Sequence, residues 1–174
     1  MKAFAIEAYN QDPKFIDQTK PQINDKEVLI EVHAASINPL DSKIRKGELK
    51  AILDYDMPLV LGNDFSGTVV EKGKNVTKFN IGDEVYGKPR SEKMGTFTEY
   101  ISLNEADIAL KPTNLSFEEA AGIPLVGLTS YQVFNDFEFK KRRQNTYPCR
   151  LRWCRNVRDP ISKSNGSLCR NDVQ

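Results

Sequence analysis

The chain has 174 residues, enough for one sizeable domain, and its 39 % hydrophobic and 28 % charged residues are typical of a globular protein. No apolar run approaches the roughly 18 residues of a membrane-spanning helix, so a membrane partner is not expected. The first residues include Glu7 and lack the long apolar core of a secretory signal, so the expected location is the cytoplasm.

The net charge of +1 conceals an abrupt change of composition near residue 141. Residues 142–174 contain seven Arg and one Lys against two Asp, whereas residues 1–141 contain fifteen Lys and two Arg against 22 acidic residues. All three Cys and the single Trp also lie beyond the change. The two parts are therefore interpreted separately.

The first part is predicted to be mainly β. In the segment 28–34, Val28, Ile30 and Val32 fall on one face and Glu31 and His33 on the other, as in a strand with one buried face. Other short strands are predicted within residues 2–8, 64–72, 81–87 and 95–103, separated by Gly-, Asn- and Asp-rich turns. Five glycines are interpreted as turn or close-packing positions: Gly62, Gly67, Gly73, Gly82 and Gly87.

Helical signals begin at residue 116. Ser116 and Glu119 have the spacing of a capping box, and Leu128, Tyr131 and Phe134 recur at a helical interval within residues 125–137. The predicted organisation is therefore a β domain over residues 1–115, a helical connection over 116–141 and an aberrant basic tail over 142–174. The tail contains two prolines and no apolar stripe, so it is expected to be mostly disordered.

Five segments, taken in order, resemble one family. Residues 35–47 are similar to its NPxDxKxRxG segment, 61–69 to GxDxSGxV, 79–87 to FxxGDxVyG, 95–100 to its GxfAEY strand and 120–131 to its interdomain helix. The family is the medium-chain dehydrogenase/reductase superfamily, in its zinc-independent, quinone oxidoreductase-like branch. The resemblance implies that residues 1–115 form the N-terminal GroES-like β-barrel. One or two helices would then lead towards a Rossmann cofactor domain that is missing here.

The residues at the family's zinc positions do not favour a metal. Zinc alcohol dehydrogenases carry Cys and His-Glu where this sequence has Asn38-Pro39 and Asn63-Asp64, and residues 1–141 contain only His33 and no Cys. His33 is interpreted as a structural residue on a strand. The cysteines of the tail have spacings unlike a zinc site, so no metal is expected.

The tail is predicted to be the same gene read in a shifted frame. When permissible codons for residues 142–173 are read one base later, one choice of synonymous codons encodes a strand, a GSGGVG loop, an apolar helix and a second strand. The resemblance implies this order, because a glycine-rich loop at a helix N-terminus binds the dinucleotide pyrophosphate. Lys140 and Lys141 can be encoded by a run of adenines, where one added base would produce the observed tail.

The resemblance also implies candidate site residues. Asn38 and Thr129 are expected to bind the cofactor near its nicotinamide, and Lys43 and Asp41 are expected in the substrate cleft. Each has a simpler alternative: Asn38 as a turn residue before Pro39, Thr129 as an ordinary helix position, Lys43 as a solvated side chain and Asp41 as a residue that fixes its own loop.

The function implied by the resemblance is hydride transfer from NADPH to a quinone or an activated double bond, in an intact enzyme expected to be a homodimer. The 174-residue chain lacks the dinucleotide loop, so it is expected to bind no cofactor and to be inactive. The alternative is a non-enzymatic GroES-like barrel whose basic arm binds nucleic acid. That alternative is disfavoured, because the basic residues would be by-products of the shifted frame.

Overall fold

The computed structural model describes residues 1–136, so the tail predictions for residues 142–174 lie outside the described residues. The chain divides into two compact units, Met1–Pro124 and a second that begins at Leu125, and each is described by itself. The strands are β1 Lys2–Ile6, β2 Lys14–Asp17, β3 Glu27–Ser36, β4 Leu59–Val60, β5 Asp64–Lys72, β6 Glu84–Gly87, β7 Tyr100–Asn104 and β8 Ile108–Leu110. The helices are α1 Pro39–Arg45, α2 Phe117–Ala121 and α3 Pro124–Asp136, with a 3-10 turn at Ser91–Lys93.

The first unit is built from two antiparallel sheets. One has the strand order β2-β1-β4 and the other the order β7-β3-β5-β6-β8. The two sheets are joined where Phe4 donates its backbone N–H to the carbonyl of Phe97 (2.8 Å) and Ala3 forms a bridge with Thr98. Strand β3 is the longest strand of the first unit, and it pairs with both β5 and β7 inside the larger sheet. The predicted mainly β fold class is confirmed.

Two apolar clusters hold this unit together. The sheet core contains Val28, Ile30, Phe65, Val69 and Val85 among its buried members, which alternate along their strands as the sequence pattern predicts. A separate helix core joins Ile6 of β1, Leu59 of β4 and Leu61 to Ile44, the one buried apolar residue of α1. Ile44 therefore anchors α1 to the small sheet.

The observed elements differ from the predicted ones in specific places. The strand predicted within residues 95–103 begins only at Tyr100; before it, Gly95 adopts φ +129° and Thr98 forms an isolated bridge with Ala3 of β1. Strands β2, β4 and β8 and helix α1 were not predicted, since each has seven residues or fewer and little apolar periodicity. The strand predicted within residues 64–72 matches β5.

Helix α2 begins as the sequence predicts. Ser116 is its N-cap: the Ser116 hydroxyl accepts the backbone N–H of Glu119 (3.2 Å), and the Glu119 carboxylate accepts the N–H of Ser116 (3.0 Å). Ala120 and Ala121 are buried, and α2 packs against β3 and β5. The first compact unit consequently continues past residue 115, the predicted limit of the β domain, as far as Pro124.

Helix α3 lies mostly in the second unit and extends to the end of the described residues. Leu128, Tyr131 and Val133 are 50 %, 57 % and 41 % exposed, so much of the helix presents apolar surface. Within residues 1–136, no helix combines the length and the hydrophobicity that crossing a membrane requires.

Candidate functional site

The candidate site lies where two corners of the chain meet. Its five polar residues, the corner cluster, are Ser36 at the end of β3, Asn38 and Asp41 at the start of α1, and Asn63 and Asp64 at the start of β5. All of them except Ser36 are at most 4 % exposed. Burial of this many polar groups is tolerated only when they bond to one another.

Gly62 forms the turn that brings the second corner into place. Its φ of +107° is accessible to glycine and rarely to other residues. A Cβ atom at this position would overlap the Thr96 hydroxyl and the Phe97 ring. Thr96 is itself fully buried, and its Oγ1 has no hydrogen-bond partner among the described residues. Close approach of residues 95–97 therefore requires glycine here.

Asn38 connects the two corners. Its Nδ2 donates to Asp64 Oδ2 (3.0 Å) and to Ser36 Oγ (3.2 Å). Ser36 Oγ in turn donates to the same oxygen of Asp64 (3.0 Å), so the three side chains form a closed triangle. A primary amide has two N–H donors, and both have acceptors inside the protein.

Asp41 connects the corners a second time. Its Oδ2 accepts the backbone N–H of Asn38 (2.6 Å), and its Oδ1 accepts Nδ2 of Asn63 (2.8 Å). Burial raises the pKa of the Asp41 carboxyl above its ordinary value, although bonds from Asn38, Asn63 and the Gly62 N–H oppose that shift. The carboxyl is saturated by its own loop and by its neighbours.

The other two predicted site residues, Lys43 and Thr129, are exposed. Lys43 is on α1, two residues after Asp41, and its side chain is exposed. Thr129 lies on α3 in the second unit, where it is exposed and its Oγ1 donates to the Leu125 carbonyl (2.7 Å), a common arrangement for a helical Thr. The structure therefore brings Asn38 and Asp41 into direct contact and leaves Lys43 facing solvent.

His33 contributes to the docking of α2. Its ring centroid lies 4.5 Å from that of Phe117, and its Nε2 is 3.0 Å from Thr68 Oγ1. Ser66 Oγ donates to the Phe117 carbonyl (2.6 Å), and the buried Lys111 ammonium lies 5.2 Å from the Phe117 ring centroid. These contacts fix the start of α2 on the sheet.

Sequence reasoning selected Asn38 and Asp41 but not the partners that complete the cluster. Ser36, Asn63 and Asp64 lie within the two segments that resemble the family, yet no spacing rule connects residues about 25 positions apart. The sequence feature that could have indicated these partners is a pair of polar clusters, one at the end of β3 and one at the start of β5. We expect such clusters to converge when the strands are antiparallel neighbours, and β3 and β5 pair in this way, with Ser36 opposite Asp64.

Comparison with known families identifies the class of protein. Residues 24–113, more than half of the chain, match the family model described as the alcohol dehydrogenase GroES-like domain. The chain therefore belongs to this family, and its relatives are NAD(P)H and quinone oxidoreductases of the medium-chain dehydrogenase/reductase superfamily.

Individual relatives agree with this assignment. The mitochondrial NAD(P)H oxidoreductase RTN4IP1 of Dictyostelium discoideum is 32 % identical over 97 % of this chain and 47 % of its own length. The chloroplastic NADPH-dependent alkenal/one oxidoreductase of Arabidopsis thaliana is 41 % identical over 60 % of this chain and 28 % of its own length. The structure of the Coxiella burnetii quinone oxidoreductase superposes with a TM-score of 0.72 at 37 % identity, over 82 % of this chain and 46 % of that one.

The chain spans less than half the length of each of these three proteins. One of them is described as mitochondrial and another as chloroplastic, so the predicted cytoplasmic location of this chain stays a prediction. Within residues 1–136, no group of three or more His, Cys, Asp or Glu side chains is arranged to hold a metal ion.

Proposed function

We propose that the intact protein transfers a hydride from NADPH to a quinone or to an activated carbon–carbon double bond. The observation that carries the proposal is the likeness of this chain to a quinone oxidoreductase structure, at 37 % identity over 82 % of the chain. The similarity to an NADPH-dependent alkenal/one oxidoreductase supports both the cofactor and an enone as the alternative substrate.

The corner cluster does not fit a catalytic zinc ion. Such a site uses three protein ligands, most often thiolate and imidazole groups, and it keeps an open position for substrate. The cluster offers amides, a hydroxyl and two carboxylates, and the hydrogen bonds of the cluster join these groups to one another. We therefore derive no step through a metal, and the reaction that we propose needs none.

NADPH, when bound, supplies the hydride, and the residues of this chain orient it. We propose that Asn38 and Thr129 contact the nicotinamide end of the cofactor and that Lys43, exposed on α1, faces an anionic group of cofactor or substrate. Asp41 would hold the loop that carries Asn38. Fixed geometry in a cleft that excludes water lowers the entropic barrier to hydride transfer. We propose that the intact enzyme is a homodimer.

The 174-residue chain contains no G-x-G-x-x-G loop in any part of its sequence. Without that loop, the pyrophosphate loses its backbone donors and the favourable helix dipole. We therefore propose that the 174-residue chain itself binds no dinucleotide and catalyses no reduction. The domain limits that we propose are 1–115 for the barrel, 116–141 for the connection and 142–174 for the aberrant tail.

The test compares two proteins. After the gene is resequenced through the codons for Phe139–Gln174, the 174-residue chain and a version with one base removed after Phe139 are purified. We expect the frame-restored protein to oxidise NADPH when a quinone or an enone is added, and the 174-residue chain to show no turnover. Turnover by the short chain would contradict its proposed inactivity, and an inactive, folded, frame-restored protein would contradict the proposed reaction.

The alternative function, nucleic-acid binding, depends on the seven arginines of residues 142–174. Clustered arginines neutralise phosphates, so such binding weakens steeply as salt increases. A salt-sensitive electrophoretic shift of DNA by the full chain, lost when the chain is truncated after Lys141, would favour this alternative over the reductase.

A further inference from the structure

Strand β7 is an edge strand of the larger sheet, and one side of its backbone pairs with β3. The hydrogen bonds that bound this ladder run from the Val32 N–H to the Glu99 carbonyl (2.9 Å) and from the Glu105 N–H to the Lys26 carbonyl (3.3 Å). Hydrogen-bonded pairs recur at every second residue of an antiparallel ladder, so the odd-numbered residues of β7 bond to β3. The backbone groups of Tyr100 and Ser102 consequently point away from β3.

Tyr100 and Ser102 leave this outer edge open. Among residues 1–136, neither the backbone N–H nor the backbone carbonyl of these two residues has a hydrogen-bond partner. Two donors and two acceptors therefore lie in a row on one side of the strand. Such an edge pairs with an additional extended chain, and this mode of recognition gains affinity from backbone bonds and specificity from the pockets beside the strand.

A cavity of about 300 Å³ lies along the same edge. Tyr100, Ile101 and Ser102 line it in succession, whereas successive side chains of a strand point to opposite faces. Three consecutive lining residues therefore place the cavity beside the backbone of β7 and not over one face of the sheet. Val60 and Met94 add apolar walls. The volume is at the lower limit of ligand pockets, so it suits one or two side chains of a peptide.

The side-chain charge of the cavity is positive. Lys93 is the one charged side chain among the residues within 1–136 that line it, and it is 61 % exposed. Its Nζ donates to Glu27 Oε1 (2.8 Å), and an ammonium has two further hydrogens. Glu27 itself is 5 % exposed and does not line the cavity. A ligand in the cavity therefore meets an ammonium with two further donors and no carboxylate, which favours an anionic partner.

The pairing geometry determines where an added strand would carry its charge. Ser102 Oγ donates to Glu27 Oε2 (3.3 Å), so Ser102 and Lys93 contact the same carboxylate on one face of the sheet. Residues directly opposite each other in a sheet share a face, so a side chain opposite Ser102 projects towards Lys93. The next side chain of the added strand projects to the other face, beside Ile101.

We propose that the outer edge of β7 and this cavity form a docking site for an extended acidic peptide, which adds to the larger sheet as a strand. The recognised pattern is an apolar residue beside Ile101, flanked by acidic residues opposite Tyr100 and Ser102. The Lys20 ammonium, 4.6 Å from the Tyr100 ring centroid, favours the second acidic residue.

The docking site is separate from the corner cluster. Tyr100 lies opposite Glu31, five residues before Ser36 on β3, which corresponds to about 16 Å along the strand. The proposal is therefore independent of the proposed reductase function, because peptide binding at this edge requires neither cofactor nor substrate.

The experiment measures binding of the full 174-residue chain to a fluorescein-labelled peptide, Thr-Asp-Leu-Asp-Thr, by fluorescence anisotropy. We expect saturable binding with a Kd below about 1 mM. The control peptide Thr-Lys-Leu-Lys-Thr keeps the apolar residue and reverses the charge, so it should bind at least about tenfold more weakly. No saturable binding of the acidic peptide, or equal binding of both peptides, would overturn the proposal.

Two variants separate the backbone of Ser102 from its side chain. Ser102→Pro removes the outward N–H, and an edge strand accepts proline where the N–H does not face the neighbouring strand. Ser102→Ala keeps that N–H and loses only the hydroxyl. We expect Ser102→Pro to weaken binding of the acidic peptide at least about tenfold and Ser102→Ala to change it less than about twofold. Equal affinities of the two variants would overturn the pairing of the peptide with the strand edge.

A third peptide tests the same bonds if Ser102→Pro does not fold. Thr-Asp-Leu-Asp-Thr with N-methyl groups on both Asp residues has the same charge and side chains, but it cannot donate backbone bonds to the carbonyls of Tyr100 and Ser102. It should bind the wild type at least about tenfold more weakly. Undiminished binding would show that the cavity recognises side chains alone, which would overturn addition as a strand.

Discussion

Glu27 is a single residue whose ionisation contributes to the stability of the first unit. It is 5 % exposed, and its carboxylate accepts bonds from Lys93 Nζ (2.8 Å), the Asn24 N–H (3.0 Å) and Ser102 Oγ (3.3 Å). The Lys93 bond, followed by the other two, lowers the pKa of Glu27, although burial opposes this. A carboxylate whose pKa is lowered in the folded state stabilises above its unfolded pKa and loses that contribution as pH falls through the folded value.

We therefore expect Glu27→Gln to reduce the free energy of unfolding at pH 7 by about 1.5–3 kcal/mol, the usual size of a charge-assisted bond. The difference from wild type should shrink below about pH 4.3, where the unfolded carboxylate begins to protonate. Urea unfolding at several pH values measures it. A difference that is constant from pH 7 to pH 3 would show that the charge is not responsible.

The hydrogen-bond partners of the buried polar residues could not be predicted from the sequence. Asn38 and Asp41 were predicted as site residues because they lie in a segment that resembles the family. Their bonds to Asp64 and Asn63 depend on the pairing of β3 with β5, which no local pattern reports. Among residues 1–136 the Thr96 hydroxyl has no hydrogen-bond partner. Nothing in the sequence indicates this, since burial of one Thr depends on how residues 95–97 cross the Gly62 turn.

At the scale of elements, β3 and β5 approach each other closely at Gly67. Gly67 pairs with Val32, and a Cβ atom on Gly67 would overlap the carbonyl oxygen of Glu31 on the neighbouring strand. Backbone cannot move aside as a flexible side chain can, so Gly67→Ala should destabilise the protein by about 3 kcal/mol.

The matched control is Gly122→Ala, at the C-cap of α2. Gly122 has φ −76° and ψ −6°, which any residue adopts, and its Cβ would come no closer than 3.6 Å to its nearest neighbour. We expect this change to be neutral or to stabilise by less than about 1 kcal/mol. Thermal unfolding of both variants measures the difference in their stability. Similar melting temperatures would refute the steric explanation.

Strands with regular alternation and one helix start with a capping box were the elements that the sequence predicted well. Strands β3 and β5 and the capped start of α2 follow directly from alternation and from the Ser116 box. Strand β4 has two residues, and α1 starts at Pro39 with one buried apolar residue, Ile44. Such short elements are stabilised mainly by tertiary contacts, so the local sequence does not predict them.

At the scale of the whole molecule, the exposed face of α3 should govern behaviour in solution. Leu128 and Tyr131 are each at least half exposed, and adjacent apolar side chains on a surface favour association. We expect the 174-residue chain to self-associate and Leu128→Glu/Tyr131→Glu to reduce that association, as measured by sedimentation velocity. Ile81→Glu, at a turn residue of the first unit that is at least as exposed, is the control and should leave it unchanged. A monodisperse wild-type chain would contradict this.

Backbone hydrogen bonds pair Phe4 with Leu61 and with Phe97. These pairings limit the order in which the barrel can assemble during synthesis. The first strand to leave the ribosome cannot complete its pairings until the loop around residue 97 has emerged, so the barrel closes late. Every strand of that barrel nevertheless precedes Lys140 and Lys141, the predicted site of the frame change. A ribosome that slipped there would append a faulty tail to a domain whose strands were already made. Cellular quality control would then have to recognise the tail itself, because the sequence of the barrel would be unchanged.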